Sequence, residues 1–219
     1  MTRILAVADQ VEEGLDRRRL LEIAPDLILS AGDLPHGYLD YLVSTLNVPL
    51  LYVPGNHDPD LQPQVPTLNG NEAWDLETLG PPGCDNIDGR VADAAGLRVA
   101  GLGGSIRYNR GPNQYTDRQL WWRALRLELR VRLRALRDGR RLDVLLTHSP
   151  PFGVGDGPDP AHQGFAALHG LVRRLQPRLL VHGHLHPYQR PVKDHDLGST
   201  RVVNAVGYRI LETDRPGFG

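Results

Sequence analysis

The chain has 219 residues, which is long enough to bury a substantial core without disulfides. Its net charge is −1 with histidine neutral. The near-neutral balance gives no overall basic field that would draw the protein to nucleic acid. A single cysteine, Cys84, excludes an internal disulfide framework and fits a reducing compartment.

The first third of the chain alternates between predicted strands and predicted helices. Short apolar runs predict strands at 3–8, 26–31 and 48–53, with helices at 12–24 and 37–46 between them. This βαβαβ order predicts parallel strands with right-handed crossovers. The first run, Ile4–Ala8, is too short for a signal-peptide core or a membrane span, so we expect a cytoplasmic protein with no membrane partner.

A long irregular stretch rich in Pro, Gly and Asn follows, from Pro59 to Asp88, and its length predicts a functional or lid-like loop. The strand–helix pattern then resumes with a strand at 97–102, a helix at 117–138, a strand at 142–147, a helix at 162–175 and strands at 178–183 and 201–206. We find no internal repeat and no interdomain linker, so we predict one domain over residues 1–219.

The predicted helix at 117–138 interleaves leucines with arginines. The favoured interpretation is a helix that packs on the sheet while the arginine stems lie along its apolar surface. The alternative is a surface for nucleic acid or another acidic partner, in which Arg126, Arg130 and Arg134 would bind phosphates.

Metal-ligating residue types follow the predicted strands one after another. Because strand ends of an open α/β sheet converge on one crevice, we expect these side chains to meet there. Histidine nitrogen favours manganese, iron, zinc, cobalt or nickel over magnesium or calcium, and the absence of cysteine from these segments argues against a structural zinc site. The segments concerned are Asp9, Gly32-Asp33, Gly55-Asn56-His57-Asp58, His148 and Gly183-His184-Leu185-His186.

In this order the motifs resemble the calcineurin-like metallophosphoesterase family, whose pattern is Asp-x-His, Gly-Asp, Gly-Asn-His-Asp/Glu, a lone His and Gly-His-x-His. The resemblance spans Asp9 to His186. It implies an α/β fold, a four-layer α/β/β/α sandwich with mixed sheets and helices on the outer faces. It also implies two divalent metal ions, for which manganese is our first choice, with iron, zinc, nickel or cobalt as alternatives.

The resemblance further implies a role for each matching residue. Asp33 would bridge the two ions, and His57 would protonate the leaving oxygen or stabilise the transition state, with Asp58 orienting it. The remaining ligands would be Asp9 and His186 at the first ion, and Asn56, His148 and His184 at the second.

One position departs from the family pattern. Where Asp-x-His requires histidine, the chain reads Asp9-Gln10-Val11, and valine cannot bind a metal. Water, Glu12, Glu13 or His36 would have to complete the first site. We therefore expect that site to be weak, selective for another metal, or empty, and the second site to be intact.

Two further residues are candidates for substrate binding. Arg107 follows the strand at 97–102 and could hold a phosphate oxygen with two hydrogen bonds, and His162 precedes a helix and could contact the substrate. For each, the alternative is an ordinary surface or capping role. Tyr108 or Tyr115 is a lesser candidate for stacking on a base or an aromatic leaving group, with ordinary packing as the alternative.

The sequence thus predicts an enzyme, a metal-dependent phosphoesterase that hydrolyses a phosphate monoester or diester by attack of a metal-bound hydroxide. A non-catalytic module that binds a metal or a phosphorylated ligand is one alternative, and a nuclease is another. The expected partner is a small phosphorylated substrate or a phosphodiester, with nucleic acid less favoured. The sequence does not indicate the natural substrate, the choice between monoester and diester, the physiological metal or the oligomeric state.

Overall fold

A computed structural model of the chain describes residues 1–59, 80–186 and 193–213. Thirteen strands and four helices lie within these ranges. In chain order they are β1 (Thr2–Ala8), α1 (Arg17–Ile23), β2 (Leu27–Ser30), α2 (His36–Leu46), β3 (Leu50–Tyr52), β4 (Asp85–Asn86), β5 (Val91–Ala94), β6 (Leu97–Leu102), β7 (Ser105–Ile106), β8 (Gln114–Tyr115), α3 (Asp117–Asp138), β9 (Val144–Thr147), α4 (Ala167–Leu175), β10 (Leu179–His182), β11 (His195–Leu197), β12 (Thr200–Asn204) and β13 (Gly207–Thr213).

The strands form two mixed sheets. The first has the order β13-β1-β2-β3-β4, in which β1 to β4 are parallel and β13 is antiparallel to β1. The second has the order β11-β12-β10-β9-β6-β5, in which the four central strands are parallel and the two edge strands are antiparallel to their neighbours. Strands β7 and β8 form a separate short ladder.

The protein has four layers, because side chains alternate along the central strands between one face that meets the other sheet and one that meets helices. Ile4 and Ala6 of β1 belong to a core shared with Leu146 of β9, so the two sheets pack face to face. The intervening residues of β1 contact α1 and α2 on one outer face, and Leu145 of β9 lies in a cluster with residues of α3 and α4 on the other. The predicted α/β/β/α sandwich is confirmed.

Most predicted elements are present, but two helices begin later than the sequence suggested. Helix α1 starts at Arg17, not at residue 12, because the Asp16 carboxylate accepts the Arg19 N–H at 2.7 Å and caps the helix there. Helix α4 starts at Ala167, not at 162, since the preceding segment is held as a loop by an isolated bridge between Pro151 and Phe165.

The helix predicted at 117–138 matches α3 at both ends. Thr116 and Gln119 form a reciprocal capping box at its start, and Gly139 ends it in the left-handed conformation. Of the long loop predicted from Pro59 to Asp88, residues 60–79 lie outside the described ranges. The assignment of residues 1–219 to one domain stays a prediction. No described helix combines the length and the apolar character that crossing a bilayer requires.

Candidate metal centre

The carboxyl ends of parallel strands carry the predicted ligands to one edge of the sandwich. Asp9 directly follows β1, Asp33 follows β2, and Asn56 follows β3 in the first sheet. His148 follows β9 and His184 follows β10 in the second. Since the two sheets pack face to face, these loops face one another across the sandwich, as the sequence predicted.

Three of these ligand residues hold an unusual backbone conformation. The φ angles of Asp9, Asp33 and His184 are 59°, 57° and 67°, in the left-handed region that residues other than glycine rarely adopt. Such positions cost about 1–3 kcal/mol each and persist where the surrounding structure enforces them. Their occurrence at three candidate ligands indicates a functional constraint on this edge.

Two buried histidines, His148 and His184, each turn one ring nitrogen toward the other. Nδ1 of His148 lies 2.7 Å from the Ala31 carbonyl oxygen, and Nε2 of His184 lies 2.7 Å from the Ala161 carbonyl oxygen. A carbonyl can only accept, so these nitrogens carry the protons of the neutral rings. The remaining nitrogens, His148 Nε2 and His184 Nδ1, are only 3.1 Å apart, so two electron pairs converge when both rings are neutral.

Two oxygen ligands complete this group. Asn56 Oδ1 lies 3.0 Å and Asp33 Oδ2 lies 3.4 Å from His148 Nε2. The Asn56 side-chain amide donates to the Tyr108 hydroxyl at 3.1 Å, which turns its oxygen toward the histidines. Two imidazole nitrogens, one carboxylate and one amide oxygen fit a divalent transition metal. Among the described residues, Asp33, His148 and His184 form the one group of three acidic, histidine or cysteine ligands within 4.8 Å.

The charges of the group depend on one another in the metal-free protein. Burial lowers the pKa of His148, but the carboxylates of Asp33 and Asp9 outweigh it and raise that pKa to about 9. Burial and the charge on His148 lower the pKa of His184 to about 3. Burial raises the pKa of Asp33, yet the nearby His148 more than offsets this and the pKa is lowered. The protonated His148 ring thus supplies the positive charge among these donors when no metal is bound.

The first predicted site is less organised. Asp9 Oδ1 and His186 Nε2 are 3.8 Å apart, and the Gln10 side-chain amide nitrogen lies 3.1 Å from His186 Nδ1. An amide nitrogen can only donate, so His186 Nδ1 accepts and the proton of the neutral ring lies on Nε2, the nitrogen nearer Asp9. Burial raises the pKa of Asp9 despite its hydrogen bond from the His184 N–H, which disfavours the charged form until a cation binds.

The residue that departs from the family pattern lies at the surface. Val11 is 49% exposed. Of the possible substitutes for the missing histidine, the Glu12 carboxylate packs against Gly207, the register partner of Ala8, and His36 lines a cavity together with Asp33. No substitute is placed in the described cluster of three ligands.

His57 and Asp58 lie beside the ligands with different contacts. The His57 N–H donates to Asp33 Oδ1 at 2.8 Å, and the exposed His57 side chain lines a cavity of about 810 Å³ that Asp33 and Asp58 also line. Asp58 Oδ2 accepts the N–H groups of Asp33 at 2.9 Å and Gly55 at 2.7 Å, and so ties two ligand loops together. That Asp58 orients the His57 ring stays a prediction.

The two predicted substrate-binding residues have local partners. An Arg107 guanidinium nitrogen donates to the Gln114 carbonyl and the Gln119 side chain, both at 3.2 Å, toward the start of α3. His162 Nδ1 lies 2.8 Å from Asp159, and its ring centroid is 5.4 Å from that of His184. His162 is therefore brought to the edge of the centre, whereas the contacts of Arg107 point elsewhere.

Two residues of the centre, Gln10 and Tyr108, make contacts with ligand residues that the sequence did not predict. The Gln10 side chain contacts His186, and the Tyr108 hydroxyl orients Asn56. Stacking of Tyr108 on a substrate stays a prediction. Gln10 lies inside the Asp-x-His motif, so its position alone was a signal. Nothing in the sequence spacing of Tyr108 and Asn56 indicates their contact.

A four-layer sandwich with carboxylate, amide and imidazole donors at its carboxyl edge defines a protein of the metallophosphoesterase class. The family model described as "Calcineurin-like phosphoesterase" matches residues 3–188. The chain belongs to this family, which confirms the resemblance inferred from the motifs.

Known proteins similar to this chain leave its activity open. An uncharacterized protein of Haemophilus influenzae is 26% identical to this chain, and the match covers 85% of this chain and 97% of the relative. The crystal structure of TT1561 of Thermus thermophilus has a TM-score of 0.61 and 20% identity, covering 94% of this chain and 89% of that one. Another crystal structure has a TM-score of 0.62 and 18% identity, covering 96% and 94%. These likenesses support the fold.

Two glycines permit the close approach of the ligands. A Cβ on Gly55 would collide with Asp33 Oδ1 and lie 2.7 Å from His148 Cε1, and one on Gly183 would collide with Asp9 Oδ2. We expect Gly55→Ala and Gly183→Ala to weaken metal binding by about 10–100-fold or more by displacing ligands. Calorimetric titration with Mn²⁺ measures this. Gly14→Ala, with nothing within 4 Å of its Cβ, is the matched control, and unchanged affinity in the first two variants would contradict the geometry.

Metal binding should release a proton from His148. With a pKa raised to about 9, this ring is protonated near neutral pH in the metal-free protein, and a metal needs its Nε2 lone pair. Affinity should therefore rise with pH until about pH 9 and fall as the pH is lowered. Calorimetry in buffers of different ionisation enthalpy counts the protons, and we expect about one per ion from this ring. His148→Asn should abolish this proton release. A binding enthalpy of the wild-type protein that does not depend on the buffer would contradict the prediction.

Proposed function

We propose that the protein is a metal-dependent hydrolase of phosphate esters. The observation that carries the proposal is the convergence of His148 Nε2, His184 Nδ1, Asn56 Oδ1 and an Asp33 carboxylate beside a cavity lined by His57. Membership of the calcineurin-like phosphoesterase family supports the same reaction class.

The donors favour manganese, iron, zinc, nickel or cobalt, with manganese our first choice, at two positions that share Asp33. Divalent ions held there would supply Lewis-acid stabilisation of phosphate oxygens and lower the pKa of a water. The second position would be held by Asp33, Asn56, His148 and His184, and the first by Asp9, Asp33 and His186. The contrast between the two sets of contacts supports a weaker first position.

His57 is the proposed proton donor to the leaving oxygen. Its N–H is bonded to Asp33, which fixes its backbone relative to the ligands, while its side chain reaches the cavity. Proton transfer by a positioned side chain contributes about 10²–10⁴-fold to a rate. Asp58 acts in this proposal through the backbone of the two loops that it joins.

The cavity supports a small phosphorylated substrate. Leu34, Pro35 and Pro81 give one part of it an apolar lining, and His36 and Asp40 add polar groups. His162, whose ring centroid lies 5.4 Å from that of His184, is the proposed substrate contact, with Arg107 retained as a second candidate. A monoester and a diester both fit this description, and a cytoplasmic location belongs to the same proposal.

His57→Ala should separate catalysis from metal binding. We expect kcat for bis(p-nitrophenyl) phosphate or p-nitrophenyl phosphate with Mn²⁺ to fall by about 10²–10⁴-fold, because the leaving oxygen loses its acid. Metal affinity should stay within about threefold, since the His57 side chain is not a proposed ligand.

The control for this variant is His169→Ala, whose side chain contacts the Phe152 carbonyl oxygen away from the cluster. It should leave kcat unchanged. Metal binding without metal-stimulated hydrolysis of either ester by the wild-type protein would favour the alternative, a non-catalytic module that binds a phosphorylated ligand.

Restoring histidine at position 11 should strengthen the first site. Because a nitrogen ligand would join Asp9 and His186, we expect Val11→His to tighten binding of the second equivalent of Mn²⁺ by about 10–100-fold. Native mass spectrometry after removal of free metal gives the stoichiometry. Val11→Ala supplies no ligand and should match wild type; two tightly held ions in wild type would show that another group already completes the site.

A further inference from the structure

Helix α3 exposes a row of large apolar side chains on the side away from the core. Its inner side packs Leu120, Ala124, Leu127 and Val131 against the second sheet and α4. Its outer side carries six large apolar residues that are 38–83% exposed, namely Trp121, Trp122, Leu125, Leu129, Leu133 and Leu136, which we call the outer face. At 3.6 residues per turn all six lie within roughly one third of the helix circumference.

This outer face is not explained by the fold. Single exposed leucines are common, but a contiguous row such as that from Trp121 to Leu136 is a feature of interaction surfaces. The two indoles lie edge to face, with ring centroids 4.7 Å apart, at the end of the helix nearest its capping box. Indoles of this kind favour a boundary between apolar and aqueous surroundings.

The charges around the outer face are positive. Each of the three acids of α3 has partners within the described structure: Asp117 with the Ala167 N–H, Glu128 with Arg132 and Arg174, and Asp138 with Arg98. Arg118, Arg126 and Arg137 have no ion-pair partner among the described residues. The helix therefore presents unneutralised arginines beside its leucines.

An arginine-lined pocket adjoins the same flank of α3. It has a volume of about 450 Å³ and is lined by Arg90, Val91, Arg130, Leu133, Arg134 and Arg137. Arg130 and Arg134 donate to the Gly89 and Val91 carbonyls, which positions them, and Arg134 is 3.6 Å from Asp93. Leu133 belongs to both surfaces, so apolar and cationic groups are continuous.

We propose that the outer face and this pocket bind the surface of an anionic lipid bilayer. Leucines and indoles would enter the boundary of the acyl chains while the arginines contact lipid phosphates, which is the composition of helices that lie in a membrane interface. A second copy would bring arginines against arginines, and nucleic acid would leave the leucines in water. This proposed peripheral binding differs from the sequence-based expectation of no membrane partner.

Vesicle flotation with the full chain tests the proposal. We expect the protein to float with vesicles of phosphatidylglycerol and phosphatidylcholine in equal parts, and to stay behind with phosphatidylcholine alone. Raised salt should weaken binding because the arginine contribution is screened. Arg126→Glu combined with Leu129→Gln should reduce partitioning by about tenfold or more.

A matched control lies on α1 with the same spacing. Arg18→Glu with Leu21→Gln changes an arginine that is 87% exposed and a leucine that is 52% exposed, against 58% for Leu129, and should float like wild type. Circular dichroism and Mn²⁺ affinity are the folding controls for both double variants, so the test does not depend on enzymatic activity.

Three results would overturn the proposal. One is equal flotation with and without the anionic lipid, and another is unreduced flotation of the α3 variant. The third is a dimer seen by light scattering without vesicles and abolished by the α3 substitutions, which would assign the outer face to a second copy.

Discussion

Nε2 of His148 lies in a fully buried ring with the donor atoms of His184, Asn56 and Asp33 between 3.0 and 3.4 Å away. In an interior of low dielectric, that many electron pairs can approach one another only around a positive charge. The backbone carbonyls of Ala31 and Ala161 leave each imidazole no other way to present its lone pair. The glycines beside the ligands, and the left-handed conformations of three ligand residues, are consequences of bringing these loops so close.

The ligand residues around His148 are held more firmly than those around Asp9 and His186. On the side of His148, each ligand is held by another group: a carbonyl for each histidine, the Tyr108 hydroxyl for Asn56 and the His57 N–H for Asp33. On the side of Asp9, the Gln10 side-chain amide nitrogen donates to His186 Nδ1, so the proton of the neutral ring lies on Nε2, the nitrogen nearer Asp9. The contacts around His148 therefore favour a cation more than those around His186, on the side where the chain has Val11 in place of the histidine of the family pattern.

Much of the fold was predictable because its local signals are strong. The runs that form β1, β2, β3, β9 and β10 are continuous and apolar, as expected for parallel strands covered on both faces, and α3 carries its own capping box and terminal glycine. The start of α1 was wrong because Asp16, not the apolar period, sets it. Arg107 was placed by its distance from a strand, yet its guanidinium is held by Gln114 and Gln119, contacts between loops that spacing does not encode.

By itself the sequence determined which donors the protein has and that they follow successive strands, because ligand chemistry belongs to residue types and parallel strands end at one edge. It also indicated the family, and it predicts that one ligand of the family pattern is missing at Val11. Only the tertiary structure decided which nitrogen of each histidine faces the centre, that Tyr108 orients Asn56, and that one side of α3 stays exposed. The contacts of Tyr108 and His148 join segments 52 and 117 residues apart, whose distances and directions arise only when the two sheets pack together.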